Sequence, residues 1–200
     1  MKRLFTAIKI HPDPGFLKSY RNLRSALYHE QIKWVEEHNI HVTLHFFGET
    51  EEQIIVRINT VLEKLAAETK PFTLRLSGLG IFGSSYAPRV IWTGIGPGQP
   101  LLHIMQMLKT DLMKAGFETD RQNLVPHLTL GRIKSLRDKT LFQRVLSNYK
   151  NIISVDEQIQ EMILFESKLL PTGPVYSIQQ SFPFSKKNPD DQPGHSGEAR

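Results

Sequence analysis

The sequence predicts an α+β protein of two lobes, with two antiparallel sheets flanked by helices, related by a pseudo-two-fold, and an active-site cleft between them. Three observations carry this expectation. Strand-like and helix-like stretches interleave from residue 3 to residue 184, and several connections are too short for a parallel crossover. The tetrapeptide HVTL at 41–44 returns as HLTL at 127–130, each opening a strand in the same order of elements. No linker divides residues 1–184 of the 200-residue chain, so they read as a single bilobal domain of ordinary globular composition, 40% hydrophobic and 22% charged.

The elements run in order along the chain. RLFTAIKI (3–10) has the bulk and alternation of a first strand, ended by the turn-forming HPDPG. Phe16, Leu17, Tyr20, Leu23 and Leu27 recur at helical spacing within 16–37, and a connection leads from there to a strand at His41. In 49–68, Thr50 is a candidate N-cap and acidic residues occupy the first turn of a helix. FTLRLSGLGIF and PRVIWTGIG are strands. PLLHIMQMLKTDLMKAG is a helix with Pro100 at its start and Gly116 suited to its C-terminal cap. VPHLTLGRI (125–133) is a strand, 136–150 a helix, 155–170 one long strand, and 171–184 a turn and closing strand. The tail 185–200 lacks apolar residues almost entirely and is expected to be disordered, taking His195 with it.

No stretch approaches the roughly 18–20 apolar residues of a membrane span, the start does not read as a signal peptide, and there is no cysteine. A cytoplasmic monomer without membrane contact is the expectation. The net charge of +5 is uneven: +2 over 1–50, +1 over 51–100, +5 over 101–150, −3 over 151–184 and zero over the tail. The basic surplus around RQNLVPHLTLGRIKSLRDK suits a phosphate-bearing ligand.

Three of the eight histidines, His38, His41 and His45, fall within HNIHVTLHFFG. A shared metal is excluded by geometry. The β-branched and aromatic residues of VTLHFF favour a strand, on which positions four apart lie about 13 Å apart; zinc–ligand bonds are near ~2 Å. Strand alternation instead puts His41, Thr43 and His45 on one face and Val42, Leu44 and Phe46 on the other. The second motif supplies His127 and Thr129 in the same relation, 86 residues on. Two lobes could bring His41 and His127 together across the cleft. Facing imidazoles form an acid–base pair near neutral pH, and the threonine hydroxyls can donate to phosphate oxygens. No metal or other cofactor is needed. His11, His29, His38 and His103 have no paired context. Phe47, Phe82, Tyr86 and Trp92 are aromatic candidates for stacking on a base.

The paired motifs HVTLHFFG and PHLTLGR, with PRVIWTGI and LFESKLLPTGPVYSIQQSFP, resemble the two-histidine phosphoesterase superfamily. Within it they resemble most the RNA 2′,3′-cyclic phosphodiesterases once called 2′-5′ RNA ligases, over roughly residues 3–184. The resemblance implies His41 and His127 as the catalytic pair and Thr43 and Thr129 as phosphate contacts. It also implies Arg132 as a basic phosphate contact, and His45 stands where relatives often carry another basic residue. Plain alternation puts Arg132 on the face opposite His127, so a shared site requires a bulge, a strand end or a long reach of the side chain. The implied reaction is metal-independent hydrolysis of RNA 2′,3′-cyclic phosphate ends to 2′-phosphate, with His127 activating water and His41 protonating the 3′-oxygen. The implied partners are RNA or oligonucleotides with such ends and small cyclic nucleotides. Ligation by the same site, action on another small nucleotide, and a non-catalytic RNA-binding module are the alternatives.

Overall fold

The computed structural model describes residues 1–119, 125–152, 154, 156–171 and 173–185. Its described elements are β1 (Lys2–Lys9), α1 (Pro14–Ala26), β2 (Gln31–Trp34), a single 3-10 turn (Glu37–Asn39), β3 (His41–Thr50), α2 (Glu52–Glu68), β4 (Phe72–Gly83), β5 (Pro88–Gly96), α3 (Gln99–Lys114), β6 (Leu128–Ser135), α4 (Lys139–Asn148), β7 (Glu157–Ile159), β8 (Glu161–Leu170) and β9 (Gly173–Pro183). Two antiparallel sheets result, in the orders β3-β1-β8-β9 and β2-β6-β5-β4-β7. The first HxT motif opens β3 in one sheet and the second leads into β6 in the other. This is the expected architecture, and β3 and β6 lie in contact.

Local chemistry explains the element ends. Asp13 caps α1, accepting from the amides of Gly15 (2.8 Å) and Phe16 (3.1 Å), with Pro14 in the first turn. Asp138 caps α4 through the Leu141 amide at 2.8 Å. Helix α3 ends at Gly116, whose φ of +80° lets the amides of Gly116 and Phe117 return to the carbonyls of Met113 and Leu112. Thr50 is not a cap: it completes β3, its hydroxyl donating to the Gly48 carbonyl at 3.0 Å, and Glu51 starts α2 without a side-chain cap.

Three expectations change. The helical spacing after Phe16 ends at Ala26, and the chain forms the edge strand β2. Glu30 anchors this turn: its buried carboxylate accepts from the amides of Arg137 (2.6 Å) and Asp138 (3.0 Å). The long strand at 155–170 is two strands, because the chain changes sheet at Gln160: β7 pairs with β4, and β8 with β1 and β9. The strand at 125–133 begins at Leu128, so His127 stands just before β6. The disordered tail expected at 185–200 lies outside the described residues apart from Ser185, whose amide donates to Ala66 and Thr69 carbonyls. No helix among the described residues is long and apolar enough to cross a membrane.

The main core is shared by both sheets and the helices. Phe16, Tyr20 and Leu23 of α1, Leu62 and Leu65 of α2, Leu108 of α3 and Phe142 of α4 join Leu4, Val42, Ile91, Leu128 and Leu130 of the strands. Buried apolar area of this kind is the main favourable term in folding. A smaller cluster of Phe5, Ala7, Ile163 and Phe165, with Tyr176 against it, covers the other face of the first sheet.

Tyr20 connects this core to the site. Its buried hydroxyl donates to the Val35 carbonyl (2.6 Å) and lies 3.0 Å from that of Leu130, which also accepts the Val35 amide. Burial pushes the phenol above its usual range. Tyr20→Phe removes the donor and is expected to cost about 1 kcal/mol, lowering Tm by roughly 2–4 °C; chemical and thermal denaturation measure it.

Candidate active site

Where β3 pairs with β1, the register runs Thr6 to His45 and then Ala7 to Thr43, so Leu44 is an extra, unopposed residue. Where β6 pairs with β5, it runs Ile91 to Gly131 and then Trp92 to Thr129, leaving Leu130 unopposed. Each motif strand therefore carries a β-bulge at the residue after its threonine. A bulge shifts facing by one residue. Before it, His41 and Thr43, and likewise His127 and Thr129, share one face. After it, the residue expected to point away points in.

The cleft between the sheets has a volume of about 420 Å³ and is lined by His41, Thr43, His127, Thr129 and Arg132 together with Arg3, Lys33, Lys134, Phe46 and Tyr176. Arg132 enters because of the Leu130 bulge. His45 leaves because of the Leu44 bulge, correcting the alternation expected from sequence. It sits across from Thr6, its ring centroid is 4.8 Å from that of Phe47, and it lines a separate depression toward α2. In its stead Phe46, 50% exposed, lines the cleft, with the Arg3 guanidinium 4.9 Å above its ring. Phe46 was legible only to a reading that allowed a bulge. Of the stacking candidates, Phe47 turns toward Phe117, and Tyr86 lies outside the cleft lining. Phe82 and Trp92 act as supports: Phe82 meets the His127 ring edge-on at 4.7 Å and packs on Trp92.

Each histidine is set the same way. His41 Nδ1 lies 2.6 Å from the Asn39 carbonyl oxygen, and His127 Nδ1 lies 2.8 Å from that of Val125. In both, the partner is two residues upstream. A carbonyl oxygen only accepts, so Nδ1 carries the proton and Nε2 is the nitrogen left to exchange one. Aromatic rings brace both imidazoles, Phe5 (5.1 Å) and Tyr176 (5.4 Å) beside His41 and Phe82 beside His127. Burial holds His41 below the usual imidazole range, the Asn39 hydrogen bond opposes this, and the Arg132 charge adds to it. Burial pushes Tyr176 up, against the charges of Arg132 and Arg3.

Four cations and no carboxylate line the cleft among the described residues, and none of Arg3, Lys33, Arg132 or Lys134 is in an ion pair there. Such a site attracts an oxyanion. Among the described residues no three His, Cys, Asp or Glu side chains converge as a metal site.

Two sheets that each offer a histidine to one cationic cleft define a two-histidine phosphoesterase. The chain belongs to the 2′-5′ RNA ligase superfamily, whose family model matches residues 12–160. It is 32% identical over 152 residues to an RNA 2′,3′-cyclic phosphodiesterase of Methanothermobacter thermautotrophicus, covering 76% of this chain and 82% of that one. It is also 32% identical over 181 residues to the protein of the same name from Methanocaldococcus jannaschii, covering 88% and 97%. Among solved structures, a Thermus thermophilus protein superimposes with a TM-score of 0.74 at 24% identity, covering 91% and 97%. E. coli LigT complexed with 3′-AMP does so with 0.71 at 20% identity, covering 92% and 99%.

The bulge makes a direct prediction. Inorganic phosphate, titrated calorimetrically, should bind Arg132→Ala about tenfold or more weakly than the parent, the cost of a lost charge-assisted hydrogen bond. His45→Ala should bind it within twofold of the parent.

Proposed function

We propose that the protein hydrolyses RNA 2′,3′-cyclic phosphate ends to 2′-phosphates without a metal ion. The observation that carries this reading is the matched pair of Nδ1–carbonyl bonds, which fixes both imidazoles with Nε2 as the exchanging nitrogen beside a cationic cleft whose described lining has no carboxylate. The names of the relatives support the same substrate.

The cyclic phosphodiester is a monoanion, and Arg132 with the Thr43 and Thr129 hydroxyls donates to its non-bridging oxygens. His127, whose Nδ1 bond lies at the surface, takes a proton from water at Nε2. The water oxygen bonds to phosphorus in line with the P–O3′ bond, which breaks. His41, in the more enclosed position, gives its Nε2 proton to the departing 3′-oxygen. A 2′-phosphate and a free 3′-hydroxyl result, and the proton gained by one imidazole balances that lost by the other. Placing the two histidines on different sheets allows them to flank phosphorus from opposite sides, as in-line displacement requires.

His41 must be protonated to act as the acid, yet burial and Arg132 disfavour its imidazolium form in the free protein. The bound anion reverses this: its negative charge offsets Arg132 and favours imidazolium.

Turnover of a nucleoside 2′,3′-cyclic phosphate should persist in excess chelator and yield the 2′-phosphate. His41→Ala and His127→Ala should each lower kcat by about 10²–10⁴-fold. Near-normal turnover by either variant, or a 3′-phosphate product, would overturn the mechanism. In NMR titrations the His41 midpoint should lie below the ordinary imidazole value of 6.5, rise in Arg132→Ala, and rise in the wild type when a nucleoside 2′-monophosphate is added. No rise on adding the nucleotide would exchange the acid and base roles.

A further inference from the structure

Two depressions continue the cleft beyond Arg132. One, toward the β2 side, contains Glu36, which pairs with Arg24 at 3.7 Å, so its charge is partly cancelled. The other, about 590 Å³, runs between the start of β5 and the end of β6 onto the first residue of α4. Arg132 and Lys134 line both it and the cleft. Arg89 and Lys139 extend the row, and Tyr86, 80% exposed, stands at its wall. Its described lining has no carboxylate, and neither Arg89 nor Lys139 is in an ion pair among the described residues.

We propose that this groove holds the sugar–phosphate backbone of single-stranded RNA leading to the cyclic end, making the preferred substrate an oligoribonucleotide rather than a mononucleotide. The inference rests on the proposed activity in the adjoining cleft. A row of unpaired cations without carboxylates gains little from a neutral or cationic ligand, and a mononucleotide's single phosphate group is already engaged by the cleft. A strand brings one further phosphate per nucleotide, and an exposed tyrosine offers a face to a base whatever its identity. The continuity through Arg132 and Lys134 gives the strand a path with no intervening negative charge among the described residues. A 2′,3′-cyclic end requires the ribose 2′-hydroxyl, so the terminal nucleotide is a ribonucleotide.

The test compares a nucleoside 2′,3′-cyclic phosphate with an octaribonucleotide bearing the same end, using Arg89→Ala/Lys139→Ala, which leaves the cleft lining intact. The expected result is an oligonucleotide KM raised about 5–20-fold, with its dependence on log salt shallower by roughly 1.4, the slope for two phosphate contacts on a single strand. Turnover of the mononucleotide should stay within twofold, which also certifies the fold. An unchanged oligonucleotide KM, or equal losses on both substrates, would overturn the groove. Should the wild type hydrolyse neither substrate, the activity fails while the groove is still judged by anisotropy of a labelled octamer ending in 2′-phosphate. Weaker binding by the double variant then supports it, and equal binding rejects it.

Discussion

The extra residue directly after the threonine of each motif strand is the constraint on which the rest of the site depends. Leu44 and Leu130 are unopposed by β1 and β5, yet both side chains are buried in the main core. The core therefore holds each bulge in place. With Leu130 fixed inside, Thr129 and Arg132 are both left facing the cleft; a regular strand would send one of them away. The Leu130 carbonyl is held from two directions, by the Val35 amide just after β2 and by the Tyr20 hydroxyl of α1. Small side chains complete the fit. A Cβ on Gly131 would meet Ile32 at 2.9 Å and the Trp34 ring at 3.0 Å, so the residue after the bulge has no room for more than hydrogen.

The histidines show the same economy of means. Each is oriented by the carbonyl two residues before it, so the tautomer is set by the chain just ahead of each motif, the 3-10 turn for His41 and the approach to β6 for His127. The aromatic braces come from elsewhere: Phe5 and Tyr176 from β1 and β9, Phe82 from β4. The Trp92 ring behind Phe82 lies over Gly80, where a Cβ would come within 2.2 Å of it. The cleft face of each sheet is thus an aromatic floor with one imidazole against it. The small second cluster around Phe5, separate from the main core, is the floor of the His41 half.

Much of this was legible from residues alone. The repeated HxTL puts His41 with Thr43 and His127 with Thr129 on one face each, and all four line the cleft, because alternation holds over the two residues from histidine to threonine. Alternation breaks at His45 because Leu44, after the threonine, is the bulge, and the bulge at Leu130 likewise turns Arg132 toward the cleft. Nothing in HVTLHFF distinguishes a bulged strand from a regular one, since Leu44 and Leu130 are ordinary apolar residues; the bulge is fixed by register with β1 and β5, a non-local fact. β2 was missed for a related reason. QIKW is only four residues, and it becomes a strand by pairing with β6 far along the chain. The division of 155–170 escaped because β7 and β8 belong to different sheets without any break in apolar pattern, only a change of partners at Gln160.

The two halves share the bulge after the threonine and differ in the side chain that each bulge turns into the cleft. Two residues beyond Leu130 is Arg132; two beyond Leu44 is Phe46. One half therefore meets the cleft with a guanidinium and the other with an exposed ring under Arg3. Arg132 acts on more than an incoming anion. Its field reaches His41, from the opposite sheet, and Tyr176, and at both it disfavours added positive charge. On the proposed mechanism this joins binding to protonation. In the free protein the Arg132 charge disfavours the His41 imidazolium, and an anion that pairs with Arg132 removes that restraint and supplies a negative neighbour as well. The acid is then charged when substrate is present to receive its proton, and a fully symmetric pair of half-sites, with phenylalanine at both positions, would lack that coupling.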